Sequence, residues 1–279
     1  MKTFIILMVI FSLIGFSSCD FDKEPPPTSE EVVTALSDYA LASKIFSDSF
    51  NSADDAAKDA DEQLSGKKTS KNTYPIVTVS PFDLDSWPKI IVLDYGEENY
   101  FCIDGRYRKG IINIEISDFY QNEYCEMDIT YDDFYQNNHK VDGYVKIINL
   151  GENDNNNLVY SVEVTDGIVT TPEGLQIYYE QSTTREWTEG RSTPLEPCDD
   201  VYLIEGEQSG TSSNDIDYVL TTAEALDVLI CCKWIRNGLL NVDIEGLNTI
   251  TIDYGYDTGG CDNQASVIIG GNSYPIIME

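Results

Sequence analysis

The chain has 279 residues with 17 Lys+Arg against 49 Asp+Glu, a formal charge of −32. That balance excludes a general nucleic-acid binder, which needs clustered Lys and Arg to neutralise phosphates, and it excludes a polybasic membrane patch. With 42% hydrophobic and 11% aromatic residues, the chain still has apolar material for a core, so it is not a disordered acidic tail.

Residues 1–18 carry one charge, Lys2, then an apolar run from Phe4 to Ile14. The run is too short to span a bilayer and has the length of a signal-peptide core. Gly15-Phe16-Ser17-Ser18-Cys19 follows. Small residues directly before a Cys at the end of such a core resemble a bacterial lipobox, with Phe16 at a position more often Leu. The resemblance implies removal of residues 1–18 and lipidation of Cys19; the competing reading is an ordinary cleaved signal beside a stray Cys. Each buried methylene of an acyl chain contributes about 0.8 kcal/mol, so a multiply acylated Cys19 would hold the chain on a membrane without a spanning helix. Asp20-Phe21-Asp22-Lys23-Glu24 resembles the acidic signal that sends Bacteroidota lipoproteins to the outer cell surface. The expected location is therefore the outer membrane, at the cell surface, with the periplasmic face as the alternative.

Residues 19–27 read as acylated Cys and tether, stiffened by Pro25-Pro26-Pro27. Thr28-Ser29-Glu30-Glu31 has the form of a capping box and opens a long amphipathic helix over residues 28–66. Val32, Leu36, Tyr39, Ser43, Phe46, Phe50, Ala53, Ala57, Ala60 and Leu64 alternate at spacings of four and three, which makes a narrow seam broken only by Ser43. Asn51-Ser52 is where the helix is expected to break. The seam is expected to lie on the protein's own domain; a seam that docks a partner is the sharper alternative.

A polar linker runs from Ser65 to Asn72, and period-two alternation begins at Tyr74. Ile112, Ile114 and Ile116 alternate with polar residues, as do Tyr160, Val162 and Val164, then Leu175, Ile177 and Tyr179, then Leu240, Val242 and Ile244. These are half-buried strands, separated by turn clusters rich in Gly, Asn and Asp. Residues 67–279 are therefore expected to form an antiparallel β domain, and the fold class is mainly β, with sandwich-like sheets and one N-terminal helix. Ile268-Ile269 and Tyr274 to Met278, joined across Gly270-Gly271-Asn272-Ser273, should close it as a hairpin.

Two segments echo each other. Ile90 to Gly96 ends in Asp94-Tyr95-Gly96, and Thr249 to Gly255 ends in Asp253-Tyr254-Gly255. In each, a Cys lies eight residues after the Asp, at Cys102 and Cys261. Residues 89–117 and 248–278 thus read as two similar strand-loop-strand units.

With these motifs the chain resembles a family of uncharacterised Bacteroidota lipoproteins. The family shares an acidic, Ala-rich helix after the lipobox and a strand ending in Asp-Tyr/Phe-Gly. It shares a Cys-x-Asp-Gly-Arg-x-Arg-x-Gly loop, here Cys102 to Gly110, and an Arg-Glu-Trp-x-Glu-Gly segment, here Arg185 to Gly190. A Cys-x-Trp-Ile-x-x-Gly strand matches Cys232 to Gly238, and Cys261-Asp262-Asn263 matches near the C-terminus. The resemblance covers nearly the whole mature chain and implies a shared fold and anchor, and no activity.

Signs of chemistry are sparse. His139 stands alone in the polar loop Gln136-Asn137-Asn138-His139-Lys140, so a His-rich zinc site is not available. No Gly-x-Ser-x-Gly elbow and no phosphate-binding Gly loop occurs. Six cysteines remain after Cys19, at 102, 125, 198, 231, 232 and 261. One or two disulfides are expected among them, with buried thiols as the alternative, and the adjacent Cys231 and Cys232 cannot share one site. Calcium is the one cofactor the composition suggests. Asp253, Asp257, Asp262 and Asn263 could supply oxygens in one loop, and Asp94, Glu97, Glu98, Asn99 and Asp104 in another. Glu186 and Glu189 flank Trp187, which suits a sugar-stacking acid pair but suits an ordinary strand better.

The sequence therefore points to a non-enzymatic outer-membrane lipoprotein with a binding, adhesion or envelope-structural role. Its partners would be the membrane through Cys19 and a protein or glycan ligand, and not nucleic acid. A glycan-active hydrolase using a carboxylate pair is the first alternative, and a periplasmic accessory factor docking a partner through its helix is the second.

Overall fold

The Thr28 hydroxyl accepts from the Glu31 N–H at 3.4 Å, and the Glu31 carboxylate accepts from the Thr28 N–H at 2.7 Å, closing the capping box. The helix it opens, α1, runs unbroken from Ser29 to Leu64. The computed structural model describes residues 26–66, 75–193, 195–255 and 260–278. The signal segment, Cys19, most of the linker and Asp257 lie outside the described residues. The break expected at Asn51-Ser52 does not occur: the Ser52 hydroxyl donates to the Asp48 carbonyl one turn back at 2.9 Å, and packing around the helix holds it straight through.

The strands follow in chain order: β1 (Ile76–Ser80), β2 (Lys89–Asp94), β3 (Tyr100–Phe101), β4 (Tyr107–Ile116), β5 (Glu126–Gln136), β6 (His139–Glu152), β7 (Leu158–Thr170), β8 (Gln176–Glu189), β9 (Val201–Thr211), β10 (Asp217–Leu229), β11 (Asn237–Ile244), β12 (Ile250–Asp253), β13 (Gln264–Ile269) and β14 (Asn272–Ile277). Apart from β3, which pairs only with β4, each described strand pairs with its neighbours in sequence. The protein is mainly β with one N-terminal helix, as expected, and its strands form one antiparallel fourteen-stranded meander. The closing hairpin is β13–β14, turned by Gly270-Gly271, both at positive φ.

A second sheet is not needed because α1 covers the apolar face of the first. The sheet bends around the helix along a crease of irregular pairings. Register shifts fall between Lys109 and Ile111, Asp142 and Tyr144, Val164 and Gly167, and Thr222 and Glu224. Such bulges locally increase twist and bend a strand. At Gly110, with φ +84°, a Cβ would sit 2.1 Å from the Asp133 carbonyl oxygen, so the crease there requires glycine.

The seam expected on α1 faces this sheet, so it is not free to dock a partner. Phe46 stacks on Tyr179 of β8 at 5.2 Å, Tyr39 meets Tyr218 of β10 edge-on, and Phe50 meets Tyr202 of β9. Further along, Ala53, Ala57 and Ala60 are buried, and the bulk comes from the facing elements: Trp187, Tyr202, Tyr160 and Tyr120 belong to the same cluster. Small helix residues thus receive large sheet residues.

An ion triad fixes this end of the helix. Lys58 Nζ lies 2.8 Å from Asp54 and 2.8 Å from Asp200, all three nearly sealed from solvent. Asp200 also accepts from the Trp187 indole N–H at 2.9 Å, Asp54 accepts from the Tyr120 hydroxyl, and the Lys58 ammonium sits 4.0 Å above the Trp187 ring. Burial alone would lower the Lys58 pKa, but Asp54 and Asp200 outweigh it and raise it. Lys58→Met leaves two buried carboxylates without their cation and should cost about 3–5 kcal/mol in urea denaturation; a loss of less than about 1 kcal/mol would show that the triad does not hold helix to sheet. Nearby, burial pushes the Asp61 carboxyl up to about 7. A raised folded-state pKa adds stability that is full below about pH 4 and lost as pH rises through the folded value. Asp61→Asn should therefore gain on the wild type between those limits when melting is followed against pH.

Candidate functional site

The acidic loops proposed for calcium are used for turn closure and ion pairing. Asp253 Oδ1 accepts from the Gly255 N–H at 3.0 Å, and Asp262 Oδ1 accepts from the Gln264 N–H at 2.9 Å. The Asn263 carbonyl accepts from the Met278 N–H, and Asp257 is outside the described residues. In the first loop Asp94 Oδ1 accepts from Gly96 N–H at 2.8 Å, and Asn99 donates to Asn138. Asp104 lies 2.6 Å from Arg108 and 3.2 Å from Arg106. Burial works against its ionised form, but these guanidiniums hold the Asp104 carboxyl below its usual value. Among the described residues no three His, Cys, Asp or Glu side chains cluster as a metal site.

The two Asp-Tyr-Gly turns share more than sequence. The Tyr95 N–H donates to the Gly110 carbonyl at 3.0 Å, and the Tyr254 N–H to the Gly238 carbonyl at 3.1 Å. They differ in direction, since Gly110 lies on the following strand β4 and Gly238 on the preceding strand β11. Cys102 is a buried free thiol, as is Cys125, whereas Cys261 is bridged. The Cys102 to Gly110 loop reaches the helix: Arg106 Nε lies 2.6 Å from Asp48 of α1, and Gln136 donates to the same carboxylate at 2.7 Å.

His139 follows the tight β5–β6 turn Asn137-Asn138, both at positive φ, and its Nδ1 lies 3.1 Å from the Asn137 carbonyl. Trp187 is buried while Glu186 points outward and accepts from Asn157 at 2.7 Å. Glu189 is exposed. The three do not converge on one face.

A cavity lies elsewhere, between α1 and the far half of the sheet. It has a volume of about 250 Å³. One stripe of the helix (Tyr39, Ala40, Ser43, Lys44, Ser47 and Asn51) forms one wall. Gln181 and Arg185 of β8, with Ile204 and Gln208 of β9, form the floor. Leu226 and Val228 of β10, the segment Ile230 to Ile235 without Cys231, and Tyr254 and Met278 complete a side that is apolar apart from Lys233. In a chain with 49 acidic residues, the described lining includes Lys44, Arg185 and Lys233 and no carboxylate.

Two disulfides position the rim. Cys198–Cys231 ties it to the short 3-10 helix Pro197–Asp199, and Cys232–Cys261 ties it to the β12–β13 connection. The adjacent cysteines thus reach different partners. On the floor, Gln208 Oε1 lies 2.8 Å from the Tyr39 hydroxyl, 3.0 Å from that of Tyr179 and 3.3 Å from that of Ser43.

Arg185 is the exception to the protein's own rule for buried cations. Among the described residues, the buried Lys and Arg side chains are Lys58, Lys89, Arg108 and Arg185. Lys58 has its two carboxylates; Lys89 donates to the carbonyls of Pro81, Asp83 and Ser86; Arg108 bonds Gln136 and Asp104. Arg185 is 4% exposed, its Nε has no hydrogen-bond partner, and no described carboxylate pairs with it. Its guanidinium stacks 3.8 Å over the Phe50 ring. Such a contact contributes about 2 kcal/mol when desolvated, less than the several kcal/mol that a buried ion costs. Burial accordingly lowers the Arg185 pKa, while an Arg remains charged. The Asn51 side-chain oxygen is likewise buried without a partner on the same cavity.

Sequence reasoning assigned no role to this site. The signal was nevertheless present. The inward alternation of β8 runs past Ile177 and Tyr179 through Gln181, Thr183 and Arg185 to Trp187, placing polar residues on a face whose neighbours are apolar. No known protein family, curated protein or solved structure matches the chain.

Removing the Cys232–Cys261 bridge, which closes a separation of 29 residues, should cost about 3.5 kcal/mol by loop entropy. In the double Ser variant, hydrogen exchange should rise in residues 230–236 and leave the α1 amides protected. Uniformly faster exchange would show that the bridge supports the whole fold rather than the cavity rim.

Proposed function

We propose that the protein is a non-enzymatic binding protein of the cell envelope. In this reading it is exported, tethered through lipidated Cys19 to the outer membrane with its body at the cell surface, and takes a small molecule between α1 and strands β8–β10. The observation that carries it is the cavity, large enough for a small organic ligand and lined on one side by mainly apolar groups and on the other by polar residues that include the Arg185 cation. Its described lining offers hydroxyls, amides and cations, with no imidazole or carboxylate to serve as an acid–base pair. The paired carboxylates that glycoside hydrolysis requires are absent from it. The paired cysteines at the rim fit an oxidising compartment. Among the described residues no helix is long and apolar enough to cross a membrane, so lipid on Cys19 would supply the attachment.

Two measurements test this reading. Cys19→Ala should abolish lipid labelling and membrane retention, and retention of both would refute the anchor. Octan-1-ol, a neutral apolar probe, should raise the melting temperature, because a ligand at about 100 times its Kd adds about 2.7 kcal/mol to the folded state. Ser47→Phe, which fills the cavity from the helix side, should remove that rise. An unchanged melt in the wild-type protein would contradict cavity binding.

A further inference from the structure

We infer that the cavity ligand is a monocarboxylate with an apolar body of about eight carbons, its carboxylate held by Arg185. The inference rests on the cavity reading above and specifies its chemistry. Arg185 is a permanently charged group lining the cavity floor; its Nε is sealed without a partner, and no described residue bonds or ion-pairs its guanidinium. A buried charge without a counter-ion is costly, and a bound anion would remove that cost on entering. The guanidinium fork matches a carboxylate with two parallel hydrogen bonds.

One negative charge suits the site better than two. Lys44 is already paired with Asp48 at 3.0 Å, and Lys233 lies over the Trp234 ring at 4.1 Å, which leaves Arg185 as the buried, unneutralised cation. A phosphate monoester would bring about 1.5 to 2 charges to it. The opposite wall, with Leu226, Val228, Ile230 and Ile235, supplies only apolar contact. The size follows from the volume. A cavity of roughly 150 Å³ takes the six carbons of benzene, so the present 250 Å³ fits about ten non-hydrogen atoms, the size of octanoate.

The experiment uses the full mature protein and four probes that share one chain: octanoate, octylamine, octan-1-ol and octyl phosphate. Binding is read from Trp234 fluorescence, checked against Trp234→Phe, and from the melting temperature. Octanoate should bind at least ~10-fold tighter than the alcohol, since a hydrogen bond to a charged group separates them. The amine and the phosphate should both bind more weakly than octanoate. Arg185→Met should lower octanoate affinity to that of the alcohol, leave the alcohol unchanged, and raise the melting temperature of the ligand-free protein. That last gain shows that the variant folds and that the charge is a burden without its ligand. The inference is overturned if octanoate binds no tighter than octan-1-ol, if octyl phosphate binds tighter than octanoate, or if Arg185→Met leaves octanoate binding intact. If none of the four probes binds, the cavity reading itself falls with it.

Discussion

A single antiparallel sheet has one face to bury, and here only α1 is available among the described residues to bury it. Much of the architecture follows from that constraint. The helix is 36 residues long, about 54 Å at 1.5 Å per residue, because it must cross many strands. The sheet bends along a crease of bulges because a flat sheet would touch a cylinder along a single line. Helix side chains shrink to alanine toward the end that packs with Trp187, and are aromatic at Tyr39, Phe46 and Phe50, which pack on Tyr218, Tyr179 and Tyr202 of the sheet. The cavity sits beside the aromatic half of the helix, where one cylinder and one curved sheet do not close completely.

The same enclosure explains the buried charges. A helix wrapped on several sides cannot keep all its polar residues in water, so Asp48, Asp54 and Lys58 are enclosed with it. Each is matched: Asp48 by Lys44, Arg106 and Gln136, and Asp54 with Asp200 by Lys58. In so acidic a chain a counter-ion for any cation is easy to find, and Lys58 and Arg108 have found theirs. Arg185, lining the cavity, has no ion-pair partner among the described residues. An unpaired buried cation opposes folding, and apolar replacement of buried ions is often neutral or stabilising. Its place on a cavity floor gives the charge a use that stability does not.

The fold class was legible because it rests on local signals. The capping box at Thr28, the seam on α1 and the alternation in β4, β7 and β11 each follow from backbone geometry acting over a few residues. The arrangement into one sheet was not legible, because one sheet around a helix and two sheets face to face need the same alternating strands. The continuous helix at Asn51-Ser52 escaped for a related reason: weak helix formers are overruled when tertiary packing holds them. The site was hidden differently. Arg185 was visible as a motif residue two before Trp187, but its lack of a directly paired carboxylate among the described residues depends on neighbours far apart in the chain. Of the carboxylates read as calcium ligands, Asp94, Asp253 and Asp262 close turns and Asp104 pairs with arginines, while Asp257 lies outside the described residues.

The central claim is that the Arg185 guanidinium is unpaired until a ligand carboxylate reaches it. The most direct measurement is the ¹⁵N–¹H signal of Arg185 Nε, assigned by its absence in Arg185→Met, followed as octanoate is added. The account predicts an Nε–H signal that shifts in proportion to octanoate occupancy, as a carboxylate joins the guanidinium. A signal that octanoate leaves in place at saturation would contradict it.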